Sequence, residues 1–184
     1  LELPKLEKIP GCCGVKVFMG LSVGSLLVTD HNDLNNIVSS INNRASFHCE
    51  DQDLLEERID FQIPGDINSH EVWRNDEQCF KATQRIVNIA RMNKKNIHIL
   101  HVSTKQEIEF LSKNKDIASV EITPQHLTLN APECYNNLGS YAQMNPPIRN
   151  LTHQKKLWEG INDGTADIIG SDHAPHTKEE KDAE

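Results

Sequence analysis

Along this chain the apolar positions switch repeatedly between a period of two and a period near 3.6. Gly14 to Met19 (GVKVFM) reads as a short strand. Asp30 then caps a helical stretch that sets Leu34, Ile37, Val38 and Ile41 on one face. Arg44 to His48 (RASFH) is a second strand, ending in the polar cluster CEDQD. Residues 51–75 are charged, punctuated by Pro and Gly, and without a period, as a long functional loop would be. Helical spacing returns from Asp76 to Met92 through Cys79, Ile86, Val87 and Ala90, and Asn96 to Val102 (NIHILHV) is β-rich. Thr104 and Glu107 make a capping box for a helix holding Ile108 and Leu111. Ile117 to Ile122 is the next strand, stopped by Pro124. After an irregular stretch containing NPP, Thr152 caps a helix through Leu157, Trp158 and Ile161, with Gly164 at its end. Ala166 to Gly170 (ADIIG) is the final strand. This alternation predicts an α/β fold with a parallel sheet, in one domain over residues 1–184.

Composition narrows the function classes. With 184 residues and 37% hydrophobic positions the chain can bury a core, and 25% charged residues exclude a low-complexity segment. Its 27 acidic against 19 basic residues leave a net charge of −8, which argues against a nucleic-acid partner. The basic run Arg91 to Lys95 suits a helix end, where cations complement the dipole. No apolar stretch is long enough for a membrane span, and LELPKLEKIP lacks the features of a signal peptide. The chain opens on Leu1 rather than Met, which hints that it starts inside its gene. Five cysteines, an odd number with no CxxC pair, point to a reduced, cytoplasmic protein.

The chemistry gathers where strands end. His48 follows RASF, His101 follows IHIL and Asp172 follows ADIIGS. In parallel α/β architectures that end carries the active site. Three candidate metal ligands at three strand ends are a stronger signal than three scattered residues. His31, His70, His98 and His153 have no such context and receive no role. His98 precedes His101 by three, so strand alternation points the two to opposite faces. Lys16 is unusual in an apolar strand: it either snorkels from an edge or serves the site. As an ammonium it has no lone pair for a metal, whereas its carbamate, formed with CO2, would be an anionic bridging ligand.

At this level of detail GVKVFMG, HCED, HILHVST, TPQHLTL, NPPIR and SDHAPHTKEEK resemble the cyclic amidohydrolases, and among them dihydroorotase, in the family's order from Gly14 to Lys181. The resemblance implies a (β/α)8 TIM-type barrel, of which this chain holds only strands 4–8. It implies a carboxylated Lys16 bridging two Zn2+ ions, His48 and His101 on the second ion, and Asp172 on the first. Asp172 would also be the catalytic proton carrier, with Asn145 and His176 binding substrate. Glu121 resembles an extra metal position of some relatives, but Leu100 replaces the neighbouring ligand, and Glu121 is left out of the site. The implied activity is reversible hydrolysis of the ring amide of dihydroorotate to N-carbamoyl-aspartate, a step of pyrimidine biosynthesis. Its partner is a small-molecule substrate, without nucleic acid or membrane, and a homo-oligomer is open. Two alternatives stand beside it: another cyclic amidase of hydantoinase or allantoinase type, against which His176 speaks, and a non-catalytic scaffold subunit.

The chain departs from the family in lacking the HxH pair of the first strand, and a closed eightfold barrel needs about 250 residues. Either these residues are a piece of a longer polypeptide, which is the favoured reading, or the chain is a truncated relative with a weakened first metal site. The GLSVGS segment with Ser22 and Val23 is either a glycine-rich turn or a lid over substrate. His126 reads as a structural hydrogen-bonding residue, Arg149 as a surface pair, and the tail KEEKDAE as solvated.

Overall fold

The structure is a computed structural model and describes residues 2–20 and 25–182. Five parallel strands lie in sequence order: β1 (Val15–Phe18), β2 (Ala45–His48), β3 (Ile97–Ile99), β4 (Ala118–Ile122) and β5 (Ile168–Ile169). Four crossover helices connect them: α1 (His31–Ser40), α2 (Asp76–Asn93), α3 (Lys105–Leu111) and α4 (Leu151–Asn162).

Alternation along each strand divides the sheet into an apolar face and a polar one. Val17, Ala45, Phe47, Ile97, Ile99, Ala118, Val120 and Ile122 are buried beneath the helices. The helices answer with Leu34 and Val38, Ile86 and Ala90, Ile108 and Leu111, and Leu157, all in the same core. Burying a side chain such as Phe47 or Ile99 contributes about 1.5–3 kcal/mol. The opposite face is polar: the parallel register aligns Lys16 with Ser46, Ser46 with His98, and His98 with Ser119 in one row.

Local signals set the helix starts. Asp30 Oδ1 accepts from the amides of Asn32 and Asp33, and the Thr104–Glu107 capping box is complete. Asn75 caps α2 through the Gln78 amide. The α4 cap corrects the sequence reading by two positions. Asn150, not Thr152, takes that role, its carboxamide accepting from the Thr152 amide. Residues 51–75 are also more ordered than their pattern suggests. They hold short helices at Gln52–Glu57 and Ser69–Trp73 and a 3-10 turn at Ile59–Phe61, each too brief to display an apolar period. The acidic tail forms an exposed helical turn, Lys178–Asp182.

The sheet is open. Among the described residues β5 pairs only with β4, and its Ile168 and Ile169 are exposed. On the outer side of β1, a bridge joins Phe18 to Leu27. Two glycines allow close approaches near the polar strand ends. A Cβ on Gly20 would stand 2.4 Å from the Glu50 carbonyl oxygen, and one on Gly170 would stand 2.5 Å from the Glu121 carboxylate. A second, smaller cluster of Ala131, Cys134, Tyr135, Ala142 and Ile148 packs in the segment between β4 and α4.

Candidate active site

Two imidazoles meet at the C-terminal ends of β2 and β3. His48 Nδ1 lies 3.1 Å from His101 Nε2, and both rings are buried. His101 does not follow the alternation expected from His98. β3 ends at Ile99, and His101 adopts φ +36°, so the two-residue period no longer governs it. Its ring therefore joins His48 on the polar face, where His98 also stands.

The orientation of His48 is fixed from behind. Its Nε2 lies 2.7 Å from Glu50 Oε2. Glu50 in turn accepts from Arg74 through two nitrogens, Nε at 3.0 Å and Nη2, and from Gln78 Nε2 at 3.1 Å. Glu50 and Arg74 are both fully buried. Burial alone would raise the Glu50 pKa, but Arg74 and His48 outweigh it and hold the carboxyl well below the usual range. An ionised Glu50 accepts only, so Nε2 of His48 carries a proton; in the neutral ring this leaves the Nδ1 lone pair facing His101. Burial, reinforced by His48, drives the His101 pKa well down and keeps that ring neutral.

This pair suits a metal. Two ring nitrogens sharing one ion at roughly 2.0–2.1 Å stand about 2.9–3.4 Å apart for ordinary coordination angles, and the observed 3.1 Å falls within that span. A carboxylate behind the ligating histidine is the usual orienting partner. Among the described residues, no group of three or more His, Cys, Asp or Glu side chains is arranged to hold an ion.

The remaining sequence candidates are more dispersed. Lys16 is exposed on the polar face, its Nζ 4.7 Å from the centroid of the Phe18 ring. It is close enough for its charge to bear on His101 and Glu121. Asp172, at φ +46°, follows the short edge strand β5 and makes no side-chain hydrogen bond or ion pair among the described residues. His176 is exposed, with Nδ1 3.8 Å from Glu180. Asn145 sits in the NPP segment, its Oδ1 buried and without a hydrogen-bond partner among the described residues. Leu21–Gly24, which include the proposed lid residues Ser22 and Val23, lie outside the described residues.

Several polar contacts were not legible in the sequence. Glu121 Oε1 accepts from the His101 amide at 3.2 Å, and its Oε2 is 3.5 Å from His98 Nε2, so the carboxylate braces His98 within β3 and His101 just after it. His98 Nδ1 completes the row at 2.8 Å from Ser119 Oγ. Glu50 carries a faint signal, because it is two residues after His48 in HCED, and Arg74 carries none. Arg149 is not the expected surface residue: it is buried, and it donates to the carbonyls of Arg74 and Asn75. His126 has the structural role foreseen, bonded to Thr123 Oγ1 and the Pro146 carbonyl.

Polar strand ends on a parallel α/β sheet agree with the chain's likeness to solved structures. It superposes on the L-hydantoinase (dihydropyrimidinase) of Arthrobacter aurescens with a TM-score of 0.84 and 24% identity, covering 91% of this chain and 39% of that one. For the dihydropyrimidinase of Brevibacillus agri NCHU1002 the TM-score is 0.86 at 22% identity, covering 96% and 40%. The fold is thus part of a TIM-type barrel, the architecture it shares with those two structures.

Within that class the curated sequence relatives are dihydroorotases. The chain is 32% identical over 174 residues to the dihydroorotase of Methanosphaera stadtmanae, covering 91% of the chain and 39% of that relative. It is 46% identical over 87 residues to the enzyme of Lactobacillus leichmannii, covering 46% and 20%. The chain therefore spans about two fifths of the length of the curated relatives it matches along most of its length. No family model matches it. Among the described residues no helix is long and apolar enough to cross a membrane, and all five cysteines are free.

Proposed function

We propose that these residues form one domain, the second half of a zinc-dependent dihydroorotase barrel. That enzyme interconverts dihydroorotate and N-carbamoyl-aspartate in cytoplasmic pyrimidine biosynthesis. The observation that carries the reading is the buried His48–His101 pair, 3.1 Å apart and oriented by Glu50, in a chain whose sequence relatives are dihydroorotases.

His48, His101, Asp172 and a carboxylated Lys16 would hold the ions, which supply Lewis acidity and a water of lowered pKa. Glu50 keeps the Nδ1 lone pair of His48 aimed forward. Asp172 accepts the proton of the attacking water and returns it to the leaving amide nitrogen, ending the cycle ionised as it began. His176 pairs with the substrate carboxylate, and Asn145 hydrogen-bonds the ring amide or ureido group.

The test combines zinc stoichiometry with turnover. His48→Ala and His101→Ala are expected to lose zinc, whereas Asp172→Asn keeps the fold and abolishes hydrolysis. Zinc at the wild-type level in both histidine variants would overturn the ligand assignment. Faster turnover of a 5-substituted hydantoin than of dihydroorotate would overturn the substrate. Zinc bound without any turnover would favour the non-catalytic reading.

A further inference from the structure

The segment 144–149 contains two consecutive prolines, so it lacks two backbone donors and cannot enter a sheet ladder. The Arg149 carbonyl at its end takes the Ala131 amide at 3.0 Å, and three of the carbonyls before it are met by side-chain donors. These three stand at alternate positions. The Met144 carbonyl accepts from His70 Nε2 at 3.0 Å, the Pro146 carbonyl from His126 Nε2 at 3.0 Å, and the Ile148 carbonyl from the Tyr135 hydroxyl at 3.1 Å. The first two carbonyls flank Asn145 on either side.

The two histidines reach this segment from separate parts of the fold. His70 lies in the short helix Ser69–Trp73, and its ring sits edge-on to Trp73 and Tyr135. His126 lies in the short helix Pro124–Thr128, directly after β4, and its Nδ1 is 2.7 Å from Thr123 Oγ1. Both rings are buried. A carbonyl can only accept, so each Nε2 carries a hydrogen and the tautomers are fixed by their partners. Asn145 Oδ1, between these anchors, is a buried acceptor with no partner among the described residues. A buried carbonyl oxygen left unpaired is costly, which suits one reserved for a donor that arrives from outside.

We propose that His70 and His126 are positioning residues that hold the Asn145 carboxamide in place by fixing the carbonyls on either side of it. The inference rests on the reading of Asn145 as a substrate contact. Neither histidine touches substrate. Each acts through the backbone and removes freedom that the loop would otherwise lose when ligand binds.

The test uses the full zinc-loaded chain and two readouts: amide hydrogen exchange over residues 143–148, and the Kd for N-carbamoyl-L-aspartate. His70→Leu and His126→Leu are expected to speed exchange in that segment at least tenfold and to raise Kd roughly tenfold, with β2 and β3 still protected. His70→Gln and His126→Gln, which restore a donor, should return both readouts toward wild type. Wild-type exchange over 143–148 in the Leu variants would overturn the proposal. If a Leu variant also loses protection in the sheet, its Gln counterpart decides: slow exchange sustains the donor role, and fast exchange overturns it. Exchange that responds as expected in a chain that binds no N-carbamoyl-aspartate would sustain the anchoring and overturn the substrate reading.

Discussion

Replacing Arg74 by Met removes the larger part of what holds Glu50. In the intact protein the Glu50 carboxylate is fully buried and shared among Arg74, Gln78 and His48. Arg74→Met fills most of the vacated volume but leaves a carboxylate with two of its three partners and no permanent counter-charge. Breaking one side of a buried ion pair typically costs about 3–5 kcal/mol. In a domain of this size each kcal/mol lowers Tm by roughly 2–4 °C, so a drop of about 10 °C is expected. Glu50→Gln in the same background removes the stranded charge, and the double variant should recover about 1–3 kcal/mol relative to the sum of the single losses. Urea unfolding of the four proteins at neutral pH measures this cycle. The acid side supplies a second check, because Glu50 has a depressed pKa. Its stabilisation is full above the unfolded carboxyl value and fades as pH falls toward the folded one. That part of the acid sensitivity should disappear in Glu50→Gln. A loss below about 1 kcal/mol in Arg74→Met, or strict additivity in the cycle, would refute the claim that this pair fixes His48.

Burial holds His70 and His126 at pKa values of about 4, below the ordinary histidine value. The unfolded chain therefore takes up protons first as pH drops below about 6.5, and stability falls between there and pH 4 by up to about 3 kcal/mol per ring. Unfolding free energies across that window should show a shallower slope in His126→Gln, and an unchanged slope would contradict the buried neutral ring. Gly20→Ala would bring a Cβ to 2.4 Å from the Glu50 carbonyl oxygen; a loss of about 1–3 kcal/mol is expected, with zinc affinity reduced as well. Phe47→Ala should cost about 3–5 kcal/mol in thermal or urea unfolding while leaving the His48 ring environment recognisable by NMR. Phe47 points to the core and His48 to the opposite face.

The sequence could be read wherever local physics decides the outcome. All five strands lie within their expected segments, because alternation and apolar runs set them, and Asp30 and Thr104 cap as their side-chain chemistry requires. The strand cores are shorter than the apolar runs, since ladder pairing stops before hydrophobicity does. What failed depended on distant partners or on one unusual dihedral. The left-handed turn at His101 undoes an argument from parity that is sound within a strand. Glu50 falls in a polar cluster and Arg74 in a charged stretch without a period, and nothing along the chain couples positions 24 apart. Arg149 differs from the expected surface pair for the same reason: the Arg74 and Asn75 carbonyls and Cys79 Sγ that it donates to are distant in sequence. In the candidate site, His48 and His101 were legible as strand-end residues and do meet. Asp172 and His176 stand out as motif residues, yet among the described residues neither contacts that pair.

The two-faced sheet separates two kinds of evolutionary constraint. Stability is written in the residues pointing toward the helices, Val17, Phe47, Ile99 and Val120 among them. The polar row of Lys16, Ser46, His98 and Ser119 contributes little to that core, although each member alternates with core residues in its strand. A substitution in the row can change reactivity at small thermodynamic cost, and a substitution one position along can do the reverse. Such a scaffold can be retuned to a new ligand without being refolded. The exceptions are positions such as Glu50 and Arg74, where one buried charge pair serves both purposes and neither residue is free to drift.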